Sequence, residues 1–124
     1  MTKLLADAVF DAALNLIKNN SVRAALCSAA PANYAGIAAV ELGEVTISTA
    51  DFTGPANGDT SGRKLTIDAL TGIAITATGT ATHLALHDNS AVLYAVTELT
   101  ASQAVTNGNT ASTTAADIEI QDPT

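Results

Sequence analysis

Between residues 62 and 100, apolar and polar side chains alternate with a period of two. Leu65, Ile67 and Ala69 stand against Lys64, Thr66 and Asp68, and Ile73, Ile75 and Ala77 follow, then Leu84 and Leu86. In an extended chain successive side chains point to opposite faces, so the pattern predicts half-buried antiparallel strands. Turn residues interrupt it at Thr71-Gly72 and Asp88-Asn89-Ser90, and the stretch reads as a run of hairpins. Residues 92–96 are apolar on both faces, as a central or covered strand requires. Gly79, inside a run of Thr and Ala, predicts a bulge or a close backbone approach. Asn107-Gly108 is a strong hairpin signal and joins a strand over residues 103–106 to a last strand ending near Ile118 and Ile120.

The chain begins with a different period. Over residues 2–18, Leu5, Val9, Ala13, Leu16 and Ile17 recur at helical spacing, with Asp7, Asp11 and Asn15 on the wet side. Lys18 suits the end of a helix dipole, and Asn19-Asn20 stops the helix. Such a helix either packs over one face of the sheet or docks on a partner. A first strand is predicted over residues 21–29 and a second over 45–50. Between them, past Pro31, a short helical turn near residues 36–42 competes with extended chain. Residues 51–62, DFTGPANGDTSG, read as a long surface loop, because Gly, Pro, Asn and Asp dominate them. The tail, residues 121–124, is polar and expected to fray. The fold class predicted is mainly β: an antiparallel sandwich or barrel of seven or eight short strands with one N-terminal amphipathic helix. It forms a single domain over residues 1–124, with the helix in 1–20 and the β-domain in 21–121.

Composition alters this picture in one respect. The chain is 48% apolar, but much of that is Ala, aromatics are 3%, and there is no Trp. Ala buries little area, at roughly 25 cal/mol per Å² removed from water, so the core is thin and neighbours are expected to contribute to stability. The net charge of −7, with Lys3, Lys18, Arg23, Arg63 and Lys64 as the basic residues, leaves no footprint for a phosphate backbone. Nucleic acid is therefore not expected as a partner. A membrane is not expected either, since no apolar run approaches ~20 residues. Asp7 and Asp11 interrupt any secretory signal, and folding in a cytoplasm is expected.

Candidate chemistry is sparse. His83 and His87 are four apart, but on a strand that separates them by about 13 Å, too far to chelate one ion. They are expected on one face with Ala85 between them. Cys27, the single cysteine, reads as a small buried apolar residue, with an intermolecular disulfide as the alternative. Asp51, Asn57 and Asp59 lack the alternating ligands of a calcium loop. Gly62-Arg63-Lys64 opens a strand where a phosphate-binding loop would open a helix. No nucleophile turn is present, and Asp117 and Glu119 flank Ile118 without support for a catalytic pair. Sugar platforms need aromatic faces, and only Tyr34 and Tyr94 could supply them beside the two Phe. No catalytic, cofactor-binding or metal-binding residues are assigned, and the protein is expected not to be an enzyme.

Three stretches carry a resemblance: DAVFDAALNLIKNN, SGRKLTIDALTGIAITATGTATHLALHD and LTASQAVTNGNTASTTAADIEI. Together they resemble a group of small tailed-bacteriophage and prophage proteins with the same order of helix, Ser-Gly-Arg-Lys strand start, Gly-Thr-Ala-Thr-His segment and late Asn-Gly-Asn-Thr turn. The resemblance implies a virion structural protein made in the host bacterial cytoplasm, and it brings no site residues. Among virion roles, small size, acidity and a thin core favour a head decoration or cement protein bridging subunits of the major capsid protein. A neck, tail or baseplate protein is the alternative, and a receptor- or carbohydrate-binding module on a fibre the third. A homo-oligomer is expected, with a trimer favoured, and the helix or the 51–62 loop is expected to meet the shell.

Overall fold

The computed structural model describes residues 5–122. Helix α1 (Asp7–Asn20) leads into strand β1 (Arg23–Cys27), then a 3-10 turn (Tyr34–Gly36) and a one-turn helix α2 (Ile37–Val40). Strand β2 (Glu41–Thr46) and a second 3-10 turn (Thr49–Asp51) follow. Seven strands complete the chain: β3 (Phe52–Asn57), β4 (Arg63–Ile67), β5 (Leu70–Ile75), β6 (Gly79–His87), β7 (Leu93–Val105), β8 (Thr110–Thr113) and β9 (Ala116–Ile120). The protein is mainly β with an N-terminal helix, as the pattern predicts, and has nine strands where seven or eight were expected.

The strands form two antiparallel sheets, one of six in the order β7-β6-β1-β2-β5-β8 and one of three in the order β3-β4-β9. Alternation accounts for the layering. On the inner face of the larger sheet, Ala24 and Leu26 of β1 lie opposite Leu86 and Leu84 of β6. Ile73 and Ile75 of β5 and Leu65 and Ile67 of β4 join the same buried core, so the two sheets share one interior. The larger sheet curls into a half-barrel around it.

The run of hairpins predicted over residues 62–100 is corrected. Of those strands only β6 and β7 form a hairpin, turned by Asp88, whose side chain accepts from the N–H groups of Ser90, Ala91 and Val92 at 2.8–2.9 Å. Strands β4 and β5 are consecutive but lie in different sheets, and β5 pairs with β2 and β8. Alternation fixes which face of a strand is buried, not which strand lies beside it. Asn107-Gly108 does turn the chain, with Gly108 at φ +92°. The strands it joins nevertheless lie on opposite edges of the curled sheet and form no ladder. Gln103 Nε2 donates across to the Ser112 carbonyl at 3.0 Å, beside a groove of about 360 Å³ between residues 99–103 and 112–114.

The loop expected over residues 51–62 is also corrected, because Phe52–Asn57 is strand β3, paired with β4. Its Pro55 sits where the register slips between Thr53 and Ala56, on an edge strand, which is where a sheet tolerates proline. The remaining loop covers only residues 58–62. The predicted strand 45–50 lies four residues earlier, as β2, and the helical turn predicted near 36–42 is α2.

Helix α1 presents the opposite side from the one predicted. Phe10 and Leu14 are buried and Ile17 is half-buried, whereas Leu5, Val9 and Leu16 are 45%, 53% and 55% exposed. The helix carries two apolar arcs, and the one with the larger Phe10–Leu14 pair faces β3 and β4. Asp11, expected in water, is instead held by Arg63 of β4: Nε lies 2.8 Å from Oδ1 and Nη2 3.3 Å from Oδ2. The first residues of the helix predicted over 2–18, residues 2–4, and the last two residues of the tail lie outside the described residues.

Candidate functional site

Polar chemistry gathers on the outer face of the larger sheet, through a defect in β2. In the β1–β2 ladder Leu26 pairs with Gly43 but Cys27 pairs with Glu41, so Leu42 is an extra residue. Residues three apart on a regular strand point to opposite faces; the bulge places Glu41 and Glu44 on one face, beside Cys27 and Ala25. Strand β6 brings His87 to the same face, opposite Arg23. The segment carrying Tyr34 and Ile37 folds over this surface and makes a second small core with Ala25, Cys27 and Ala85.

Between that segment and the sheet lies a cavity of about 170 Å³, lined by Tyr34, Ile37, Ala38, Glu41, Glu44 and His87 among others. His87 is 3% exposed. Its Nδ1 accepts the Asn89 N–H at 3.0 Å, and Asn89 stands in the left-handed region at φ 59°, closing the turn back over the ring. The edge of Tyr34 meets the imidazole, with centroids 5.5 Å apart. His87 Nε2 is buried without a hydrogen-bond partner, and Glu44 Oε2 stands 3.9 Å away. Arg23 Nε approaches the other oxygen of Glu44 at 3.5 Å.

The electrostatics follow from this crowding. Burial lowers the pKa of His87, against the pull of Glu44 and Asp88, so the ring is neutral near pH 7. Burial, and then the hydrogen bond with Glu44, pushes Glu41 up to about 7. Because Glu41 takes up a proton on folding, its contribution to stability is full below about 4.5 and is lost as the pH rises through about 7. At this half-exposed carboxyl solvent screening reduces the effect to on the order of 1–2 kcal/mol. Glu41→Gln is therefore expected to gain about that much on the parent between roughly pH 5 and pH 8 in thermal melts. An equal difference from the parent at both pH values would refute this assignment.

The other sequence candidates have ordinary occupations. His83 and His87 project from one face with Ala85 between them, as predicted; His83 pairs in register with Cys27, and its Nδ1 lies 2.8 Å from Thr82 Oγ1. Cys27 is fully buried, and burial pushes its thiol up to about 11, so it is a packing residue and no thiolate nucleophile. Asp51 accepts from the Ser48 N–H, Asn57 from Arg63 and Asp59 from Lys64, so the three calcium candidates serve three separate internal contacts. Asp117 accepts from Thr66 and lies near Lys64, while Glu119 accepts from the Thr60 N–H. Among the described residues no group of three or more His, Cys, Asp and Glu side chains is placed to hold a metal ion. No described helix is long and apolar enough to cross a membrane.

The four basic residues in the described chain are all engaged internally: Lys18 on the Gly54 carbonyl, Arg23 on Glu44, Arg63 on Asp11, and Lys64 on Asp59 and Asp117. Sequence reasoning singled out His87 and Tyr34 but missed Glu41 and Glu44, because nothing in ELGE announces the bulge that turns them to one side. No protein-family model, no curated protein and no solved structure matches this chain.

Proposed function

We propose that this is a non-enzymatic virion structural protein that decorates and stabilises the capsid shell of a tailed bacteriophage by bridging capsid subunits. The observation that carries the reading is the outer arc of α1. Among the described residues, three of the five exposed large apolar side chains lie here, Val9 and Leu16 on α1 and Leu5 just before it, with exposed Ala12 and Ala13 between Val9 and Leu16. The opposite arc is anchored in the core, so the helix is held rigidly with an apolar side outward. Apolar surface grouped in this way is what a partner subunit covers. Internal pairing of the described basic residues agrees with a protein partner in place of nucleic acid.

Self-association has its own support. Strand β7 is a sheet edge of thirteen residues with one charge, Glu98. Long edges of low charge are templates for pairing with another chain, and in a trimer the β7 edge of one copy would meet a different edge of the next.

The first test is copy number in purified virions, by quantitative mass spectrometry against the major capsid protein. A simple fraction of the capsid subunit count supports a cement role. A few dozen copies or fewer would move the protein to the neck, tail or baseplate, and absence from particles would refute a virion role. The second test is the double substitution Val9→Glu with Leu16→Glu. It is expected to abolish attachment to shells lacking the protein while the melting temperature stays within about 4 °C, since each surface change usually stays within ±0.5 kcal/mol. Undiminished attachment would exclude the helix as the contact.

A further inference from the structure

We propose that the cavity between Tyr34 and the Glu41–Glu44–His87 cluster binds a neutral polyhydroxyl ligand, a single sugar ring, through a pair of neighbouring hydroxyls. The tautomer of His87 starts the argument. Asn89 N–H donates to Nδ1 at 3.0 Å, so that nitrogen presents its lone pair and the proton of the neutral ring resides on Nε2. Nε2–H is therefore a buried donor that lacks an acceptor, with the nearest carboxylate oxygen at 3.9 Å, beyond hydrogen-bond reach. A buried donor left without an acceptor costs about 1–3 kcal/mol, and since His87 lines the cavity, a ligand there that brings an acceptor to Nε2–H would recover that cost.

The same cavity holds an excess of acceptors on its other wall. Glu41 and Glu44 face it from the bulge; Arg23 approaches one oxygen of Glu44, and the hydrogen bond between the two carboxyls still leaves lone pairs open on both. A ligand that satisfies both walls has to donate and accept at adjacent atoms. A metal ion does not fit, because it would need the Nε2 lone pair while Asn89 already occupies the one on Nδ1. An anion meets two carboxyls. A simple organic cation serves the carboxyls but leaves Nε2–H bare. A hydroxyl accepts from Nε2–H while donating to Glu44, and its neighbour donates to Glu41. Tyr34, Ile37 and Ala38 supply apolar walls for the C–H surface of a ring. At about 170 Å³ the space is small, on the scale of a single ring. Sugar binding here neither requires nor follows from attachment to a capsid shell.

The test is a titration of the ¹⁵N-labelled chain with the methyl glycosides of glucose, galactose, mannose and N-acetylglucosamine, each alone, with ethylguanidinium as a cationic control. The expected result is a saturable shift of the Asn89 amide and the His87 Nε2–H signal for at least one glycoside, with a Kd on the order of 1–10 mM. His87→Gln and Glu44→Gln should each weaken binding by about tenfold while the remaining spectrum stays folded. Should either variant unfold, Tyr34→Ala, at the half-buried ring that forms an apolar wall of the cavity, serves in its place. No saturable shift with any glycoside up to ~100 mM overturns the proposal. So does a shift that survives the variants, or one produced by ethylguanidinium alone.

Discussion

Gly43→Val is expected to destabilise the protein by about 3 kcal/mol or more and to loosen β5 and β8 together. Gly43 is buried on β2, opposite Ile75 of β5, and a Cβ there would fall against the Ala74 carbonyl oxygen and 3.0 Å from Ile75 Cα. Those atoms are backbone and cannot rotate away. The contact matters because the β2–β5 ladder is short, Gly43 with Ile75 and Glu44 with Ala74, with the Leu42 carbonyl accepting from the Thr76 and Ala77 N–H groups just beyond it. Through them β5, and β8 beyond it, is attached to the rest of the six-stranded sheet. Urea denaturation measures the loss, and amide exchange should show β5 and β8 opening first. Gly72→Ala is the matched control: Gly72 has φ +69° but nothing within 4 Å of an added Cβ, so only the left-handed backbone, about 1–2 kcal/mol, is at stake. A Gly43→Val loss no greater than that of Gly72→Ala would show that the sheet can part at β2 and β5 without cost.

The second large effect is expected at Leu14. It is fully buried in the core that the two sheets share, with the half-buried Ile17 packed against that core and Phe10 buried one turn earlier on the helix. Truncating a buried leucine costs about 2–5 kcal/mol, so Leu14→Ala should lose about 3 kcal/mol, and α1 amides should exchange well before those of β1 and β6. Leu16→Ala, two residues on and 55% exposed, should cost under about 0.5 kcal/mol. Equal losses would mean that the helix is not seated on its Phe10–Leu14 side.

These two sites mark where the sequence was and was not legible. The inward side of each central strand could be read, because Leu65, Ile67, Ile73, Ile75, Leu84 and Leu86 alternate cleanly, and burial follows alternation. Strand neighbours could not, since β1 contacts β6 across more than fifty residues of chain and no local pattern encodes that partner. The helix was read to the wrong side because its second arc, Val9 and Leu16, has the same spacing as the buried one. Residues 52–57 looked like loop because Gly54 and Pro55 carry turn chemistry, yet an edge strand with a register slip accommodates both. At the outer pocket, His87 could be singled out by its chemistry and Tyr34 by its scarcity. Glu41 and Glu44 could not, because a single extra residue in β2 decides which way they point.

The Asp11–Arg63 pair has a mechanical consequence. Arg63 is held by Asp11 of the first helix and pairs in register with Ile120 of the last strand. Tension applied between α1 and β9 therefore loads this ion pair and the β4–β9 ladder first. The six-stranded sheet is loaded only once these give way and the pull reaches β1, which follows α1 directly. Stretched by its two ends, the molecule would yield in its three-stranded layer while the curled sheet, and the cavity on its outer face, kept their shape.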